Sequence, residues 1–189
     1  MHLKLHQNIL QHIKMTEEEM ILFDSYWTER VLQKGEYLLR NGELSITDNY
    51  VVSGALKAFY INPTRGTEEI LFFAIEDWWA TDLLSFNKQK PSNYTIQALE
   101  TTHIIQIHRQ AFQDMLASLP QLERYFRIIL ESYLGSLQRR IIVQNTMAAE
   151  ERYHDFIAHY PLIAQKVPQY LIASYLGISP EFISRIKNK

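Results

Sequence analysis

Residues 168–188 read PQYLIASYLGISPEFISRIKN, and the pattern in this stretch decides the C-terminal architecture. Pro168 can open a helix, because its missing N–H would have no intrahelical partner there. Ile172, Ala173 and Leu176 then share one face. Gly177 supplies the left-handed conformation that ends a helix and turns the chain, and Ile178 plugs the turn. Ser179 is a good N-cap, with Pro180 at the first helical position and Glu181 near the positive end of the dipole. Ile183 and Ile186 face inward, which leaves Glu181, Ser184, Arg185 and Lys187 outward, and the small Ala173 sits where the helices must cross closely. Two short helices joined in this way make a helix-turn-helix unit, whose second helix can enter a DNA major groove. Arg185 has the donor fork for a guanine edge, and Glu181 can accept from a cytosine amino group. Gln169, Ser179, Ser184, Lys187 and Lys189 complete the expected DNA-contacting set, the lysines toward phosphates. A plain helical hairpin also places two helices around a glycine, but the full pattern I-A-x-x-L-G-I-S-x-x-x-I-S-R-I is much narrower.

Upstream, residues 147–160 form a helical pattern with Tyr153, Phe156, Ile157 and Tyr160 on one face, stopped by Pro161. Before it, Ser118 and Gln121 have capping-box spacing, with Pro120 in the first turn. Leu122, Phe126, Ile129, Tyr133, Leu137 and Ile141 then recur at helical spacing. A stripe of this length needs either the preceding domain or a second copy of itself to cover it. The second predicts a dimer interface along these six residues, with Gly135-Ser136 tolerated where two backbones approach. The first predicts an ordinary core helix.

From about residue 29 to 108 the texture changes to short β-rich runs: EYLLR, YVVSG, LKAFYI, EEILFFA, YTIQALE and HIIQIH. Turn glycines at 35, 42, 54 and 66 separate them, which argues for an antiparallel barrel or jelly roll. Residues 16–27 (TEEEMILFDSYW) predict a short helix with a Thr16–Glu19 capping box. The expected class is thus α+β. Residues 1–118 make a sensor β-roll with its N-terminal helix, 119–145 a dimerisation helix, and 146–189 an all-α helix-turn-helix domain.

With 47 % hydrophobic and 21 % charged residues, the 189-residue chain has the composition of an ordinary folded protein. No apolar run approaches the roughly 20 residues needed to span a bilayer, and MHLKLHQNIL lacks a signal-peptide core, so the expected place is the cytoplasm. The absence of cysteine excludes disulfides, thiolate metal sites and cysteine-held clusters. The net charge of −2 divides unevenly. Residues 139–189 hold seven bases and four acids, the rest twelve bases and seventeen acids, which puts affinity for phosphate in the C-terminal segment.

Taken together, the chain resembles the Crp/Fnr superfamily of bacterial regulators, in the form found in Bacteroidetes-type members. KGEYLLRNGE (34–43), SGALKAFYINPTRGTEEILFFAIEDWWA (53–80), EERYHDFIAHYP (150–161) and IASYLGISPEFISRI (172–186) carry the resemblance, which covers roughly 15–188. It implies a cyclic-nucleotide-binding-like β-roll, a homodimer on a palindromic double-stranded operator, an RNA polymerase partner, control by a small-molecule effector, and neither enzymatic activity nor a membrane partner. Two departures stand out. The phosphate cassette of nucleotide-binding members has a glycine-glutamate pair and, after a small helix, arginine beside serine or threonine. Here Ala80-Thr81 and Ser92-Asn93 stand in those places, and Lys88 and Lys90 are poor substitutes for a guanidinium fork. The effector is therefore expected to be other than cyclic AMP, in a pocket drawn from Trp78, Trp79, Thr81, Asp82, Ser92, Asn93 and Tyr94. Secondly, the chain ends at Lys189, so the β-wing of many members is expected to be missing and some phosphate contacts with it.

Other readings are weaker. A ligand-binding or protein-interaction module that binds DNA weakly or not at all remains open, separable by affinity for a palindromic duplex. A metal-dependent cupin enzyme would need converging histidines. His103 and His108 sit five apart in a strand, on opposite faces, and His154 and His159 are spread around a helix. His2, His6 and His12 read as solvated side chains. No metal or other cofactor is expected, and there is neither a phosphate-loop glycine motif nor a nucleophile–base pair. Trp78, Trp79 and Tyr94 have core packing as their ordinary alternative to a pocket.

Overall fold

The computed structural model describes residues 3–187. In chain order its strands are β1 (Thr28–Leu32), β2 (Tyr37–Leu39), β3 (Thr47–Ser53), β4 (Ala55–Ile61), β5 (Glu68–Ile75), β6 (Thr95–Ala98) and β7 (Thr102–His108). They form two antiparallel sheets, ordered β1-β7-β3 and β2-β6-β4-β5. The alternation seen in the sequence sets the inner face: Ile96 and Ala98 of β6 point inward beside Val51, Leu56 and Ile104. The β3–β4 connection depends on Gly54, at φ +100°, where an added Cβ would lie 2.5 Å from the Thr102 hydroxyl oxygen. β1 was not among the strands expected from sequence, because TERVL exposes most of its side chains and shows no apolar alternation.

The helices are α1 (Leu3–Leu10), α2 (Glu17–Asp24), α3 (Leu83–Lys88), α4 (Arg109–Ser118), α5 (Leu122–Thr146), α6 (Ala149–His159), α7 (Pro161–Lys166), α8 (Gln169–Leu176) and α9 (Pro180–Lys187). Thr16 and Glu19 form the expected capping box on α2, which ends at Asp24 rather than Trp27. The expected box at Ser118 is absent. Ser118 closes α4, a helix not expected from sequence, and Gln121 precedes α5 without a side-chain cap. His108 starts α4 by accepting from the Gln110 N–H at 3.4 Å. Pro161 does end α6, but it also occupies the first turn of α7, where its missing N–H is no loss. His6 is not simply solvated, since its ring meets Asp24 at 2.6 Å, and His12 packs beside the Tyr125 ring. His2 lies outside the described residues.

A second core lies between one sheet and the flanking helices, where Ile9, Phe23, Tyr50, Met115, Leu122 and Tyr125 are almost fully buried. A third joins the C-terminal helices to the other sheet, with Phe156, Ile163, Ile172 and Ile183 meeting Phe59, Ile70 and Phe73. Polar contacts reinforce it. The Ser174 hydroxyl accepts from the Ile70 N–H at 3.2 Å and donates to the Glu68 carbonyl at 3.0 Å. Arg140 of α5 donates to the carbonyls of Leu71, Ile70 and Tyr175 and lies 4.0 Å from the Tyr175 ring centroid. Lys166 bridges α7 to Glu76 at 2.5 Å and Glu100 at 3.6 Å. Burial pushes the Glu76 carboxyl up, but bonds from Lys166 and the Gly54 N–H hold it below the ordinary range.

Candidate nucleic-acid interface and sensor cleft

The helix-turn-helix forms as its residues dictate. Gly177 adopts φ +66° at the end of α8, and the Ser179 hydroxyl accepts from the Phe182 N–H at 3.2 Å to cap α9. Ala173, Ile172 and Leu176 are buried against Ile183 and Ile186. Burying that face leaves Ser179, Glu181, Ser184 and Arg185 exposed on the other. Backbone and Ser179 hydrogen bonds, with help from Arg185, hold Glu181 below the usual carboxylate range, so it is an anion at neutral pH. The Arg185 guanidinium leans toward the Phe182 ring at 5.5 Å, and none of its donors is tied to an acid among the described residues. Gln169, at the start of α8, is also exposed. Lys187 falls in the last turn of α9, and Lys189 lies outside the described residues.

The apolar stripe of α5 divides in two. Leu122 is fully buried in the chain's own core, and Phe126 and Ile129 pack against that core beside Trp79 and Phe112. This removes Leu122 from the surface a second copy can touch, because the β-roll already covers it. Beyond residue 129 the cover thins to one side of the helix. Leu130, Tyr133, Leu134, Ile141 and Ile142 are 41–61 % exposed, Leu137 among them is half-buried, and a Cβ at Gly135 would meet nothing within 4 Å. Leu130, Leu134 and Ile142 lay outside the expected stripe, which followed one line of a helix whose apolar face is wider.

The expected effector set also divides. Trp78, Trp79 and Thr81 line a cleft of about 690 Å³ between the β-roll and α5. Asp82, Ser92, Asn93 and Tyr94 do not line it. Asp82 caps α3 by accepting from the Ser85 N–H at 3.0 Å, and its other oxygen accepts from the Ser92 hydroxyl at 2.7 Å. Tyr94 packs edge-on to Phe72, and its hydroxyl donates to the Thr81 carbonyl at 3.4 Å. Asn93 is exposed, as are Lys88 and Lys90. The cassette positions thus satisfy one another and present no fixed cation.

What the sequence did not reveal is Asp48. It is 6 % exposed and lines the cleft, with one oxygen (Oδ1) accepting from the Thr81 hydroxyl and the Asn49 N–H. Burial raises its carboxyl to about 6, against the downward pull of those two bonds. Nearby, Asp77 adopts φ +66° and accepts from the Tyr50 hydroxyl at 2.7 Å. Two cations line the cleft, and both are engaged: Arg127 with Glu131 at 2.7 Å, Arg140 with backbone carbonyls. In sequence Asp48 looked like one more polar residue before a strand, whereas adjacent Arg139-Arg140 inside an apolar helix was a usable signal for the anchor at Arg140.

Comparison with known proteins adds the following. Residues 29–118 match the cyclic nucleotide-binding domain family. The chain is 28 % identical over 188 residues to the transcriptional activator protein anr of Pseudomonas aeruginosa, covering 92 % of this chain and 75 % of that one. Its fold resembles FixK2 from Bradyrhizobium japonicum, with TM-score 0.73 at 17 % identity over 86 % of this chain and 83 % of the other. It also resembles the Thermus thermophilus catabolite activator protein, with TM-score 0.57 at 20 % identity over 92 % and 83 %. No helix among the described residues is long and apolar enough to cross a membrane.

Proposed function

We propose, from the premise that the chain belongs to the Crp/Fnr superfamily of transcription regulators, that it acts as a homodimer reading a palindromic operator. The observation that carries the reading is α9: its apolar side is buried while Glu181, Ser184 and Arg185 are exposed on the side opposite the core. A helix held rigidly with a polar face outward is what major-groove readout requires. The exposed apolar half of α5 supports pairing through that helix, which would set two α9 helices for half-sites about 34–36 Å apart. An effector in the cleft touches α5 and, through Tyr160 and Tyr175, the C-terminal unit, so it can bias their relative placement. The self-satisfied cassette supports an effector that is not a cyclic nucleotide.

Selection from random duplexes should recover a palindrome. Arg185→Ala should then weaken the selected site by about 1–3 kcal/mol and relax one base position per half-site. Recovery of no palindrome at low salt would refute the reading. Equal losses on selected and scrambled duplexes would remove Arg185 from base readout.

A further inference from the structure

We infer that the cleft binds a small organic ammonium, with Asp48 as counter-ion and the aromatic wall as its bed; this rests on the reading of the cleft as the effector site. Asp48 is buried, yet among the described residues nothing donates a hydrogen bond to its second oxygen, Oδ2. Oδ2 is also absent from the fully enclosed polar atoms that lack a partner, so it meets the open space of the cleft. A largely buried carboxylate with half its acceptor capacity turned into the cleft is a ready partner for a donor on a ligand, and costly to cover with anything that lacks one. Among the described residues no side chain supplies that donor, since Arg127 and Arg140 are spent elsewhere and Lys88 and Lys90 face solvent.

The surroundings narrow the class of donor. Trp78, Trp79, Phe112, Phe126 and Tyr133 line the same cleft, and aromatic faces favour a cation that has shed its water. The other ionisable groups there are Asp77, Glu123 and Glu131, against two engaged arginines, so an anion would meet repulsion and no free donor fork. A neutral apolar ligand would fill the walls but leave Oδ2 unpaired. An ammonium on an aryl or alkyl body satisfies both, making a charge-assisted hydrogen bond to Asp48 while its body lies on the rings.

Calorimetry on the full chain tests this with 2-phenylethylammonium and the tryptamine cation, each compared with its alcohol and carboxylate counterpart. The ammonium should bind at least about tenfold more tightly than the alcohol, because it adds Coulomb attraction to a hydrogen bond that either donor can make to Asp48, and the carboxylate not at all. Asp48→Asn should erase the ammonium's advantage over the alcohol. The inference is overturned if alcohols equal the ammoniums in the native chain, if neither ammonium binds by millimolar concentration, or if Asp48→Asn keeps the preference. Should the variant fail to fold, the ranking on the native chain decides alone. Because these measurements contain no DNA, a failed operator selection with the ammonium ranking intact would sink the regulator reading alone. An intact operator with no ammonium preference would sink this inference alone.

Discussion

Replacing Asp48 by asparagine should make the folded chain more stable at neutral pH, and by an amount that depends on pH in a defined way. The asparagine carbonyl can keep both acceptor contacts, to the Thr81 hydroxyl and the Asn49 N–H, so the variant chiefly removes the charge. A carboxyl raised from 3.8 to about 6 on folding holds its proton about 3 kcal/mol more tightly in the native state. The sign follows from where each state releases that proton. Below about pH 4 it is bound in both states and costs nothing. Between about 4 and 6 the unfolded chain releases it first, so native stability falls as pH rises; above 6 the full penalty stands. Urea unfolding of both proteins at equal concentration at pH 4, 5, 6 and 7 should show their difference grow from near zero to about 3 kcal/mol, in favour of the variant. Other carboxyls with lowered values, such as Glu76, tilt both curves alike and cancel in the difference. A difference that stays flat across this range would refute the argument, since it would mean that Asp48 is not an uncompensated buried charge.

Further outcomes follow from the same contacts. Leu134→Glu with Ile141→Glu should give folded monomers by sedimentation, because both residues are more than half exposed on α5; a native chain already monomeric at micromolar concentration would remove the dimer mechanism. Arg140→Ala leaves the carbonyls of Ile70, Leu71 and Tyr175 short of donors and should destabilise docking of α8 on β5 by about 1–3 kcal/mol. Hydrogen exchange at the Ile70 amide, bonded to Ser174, reports that loss directly, and unchanged protection would count against the anchor. Cyclic AMP and cyclic GMP should show no calorimetric binding below the millimolar range, since the Ser92 hydroxyl is already spent on Asp82; micromolar affinity would overturn the cassette reading.

The parts legible in sequence are those whose chemistry is local. Gly177, Ser179 and Pro180 announce a helix end and a helix start within four residues, and Ile183 and Ile186 fix which side turns inward, so the helix-turn-helix could be placed residue by residue. The β-roll announced itself through its turn glycines and apolar runs. Elements stabilised mainly by distant partners stayed hidden. α4 owes its position to Met115 reaching a core shared with α1 and α5, and β1 is held by a ladder to β7 rather than by an apolar face of its own. The site was less legible still. That Leu122 faces the roll while Leu134 faces solvent depends on where the roll ends against α5, a tertiary fact with no local signature. Asp48 meets Thr81 across 33 residues of sequence, and only the fold brings them together.

Ser174 and Arg140 also have a bearing on solubility. β5 is the outermost strand of its sheet, and the backbone groups of Glu68 and Ile70 that would invite another strand are taken instead by one hydroxyl and one guanidinium. The C-terminal unit therefore serves as the guard of an otherwise sticky margin. A rearrangement that swings it toward an operator must uncover that margin beside Phe72 and Phe73, a place where two such chains could zip together. Truncation before α5 would leave it permanently bare, so the isolated roll should self-associate at concentrations where the whole chain does not.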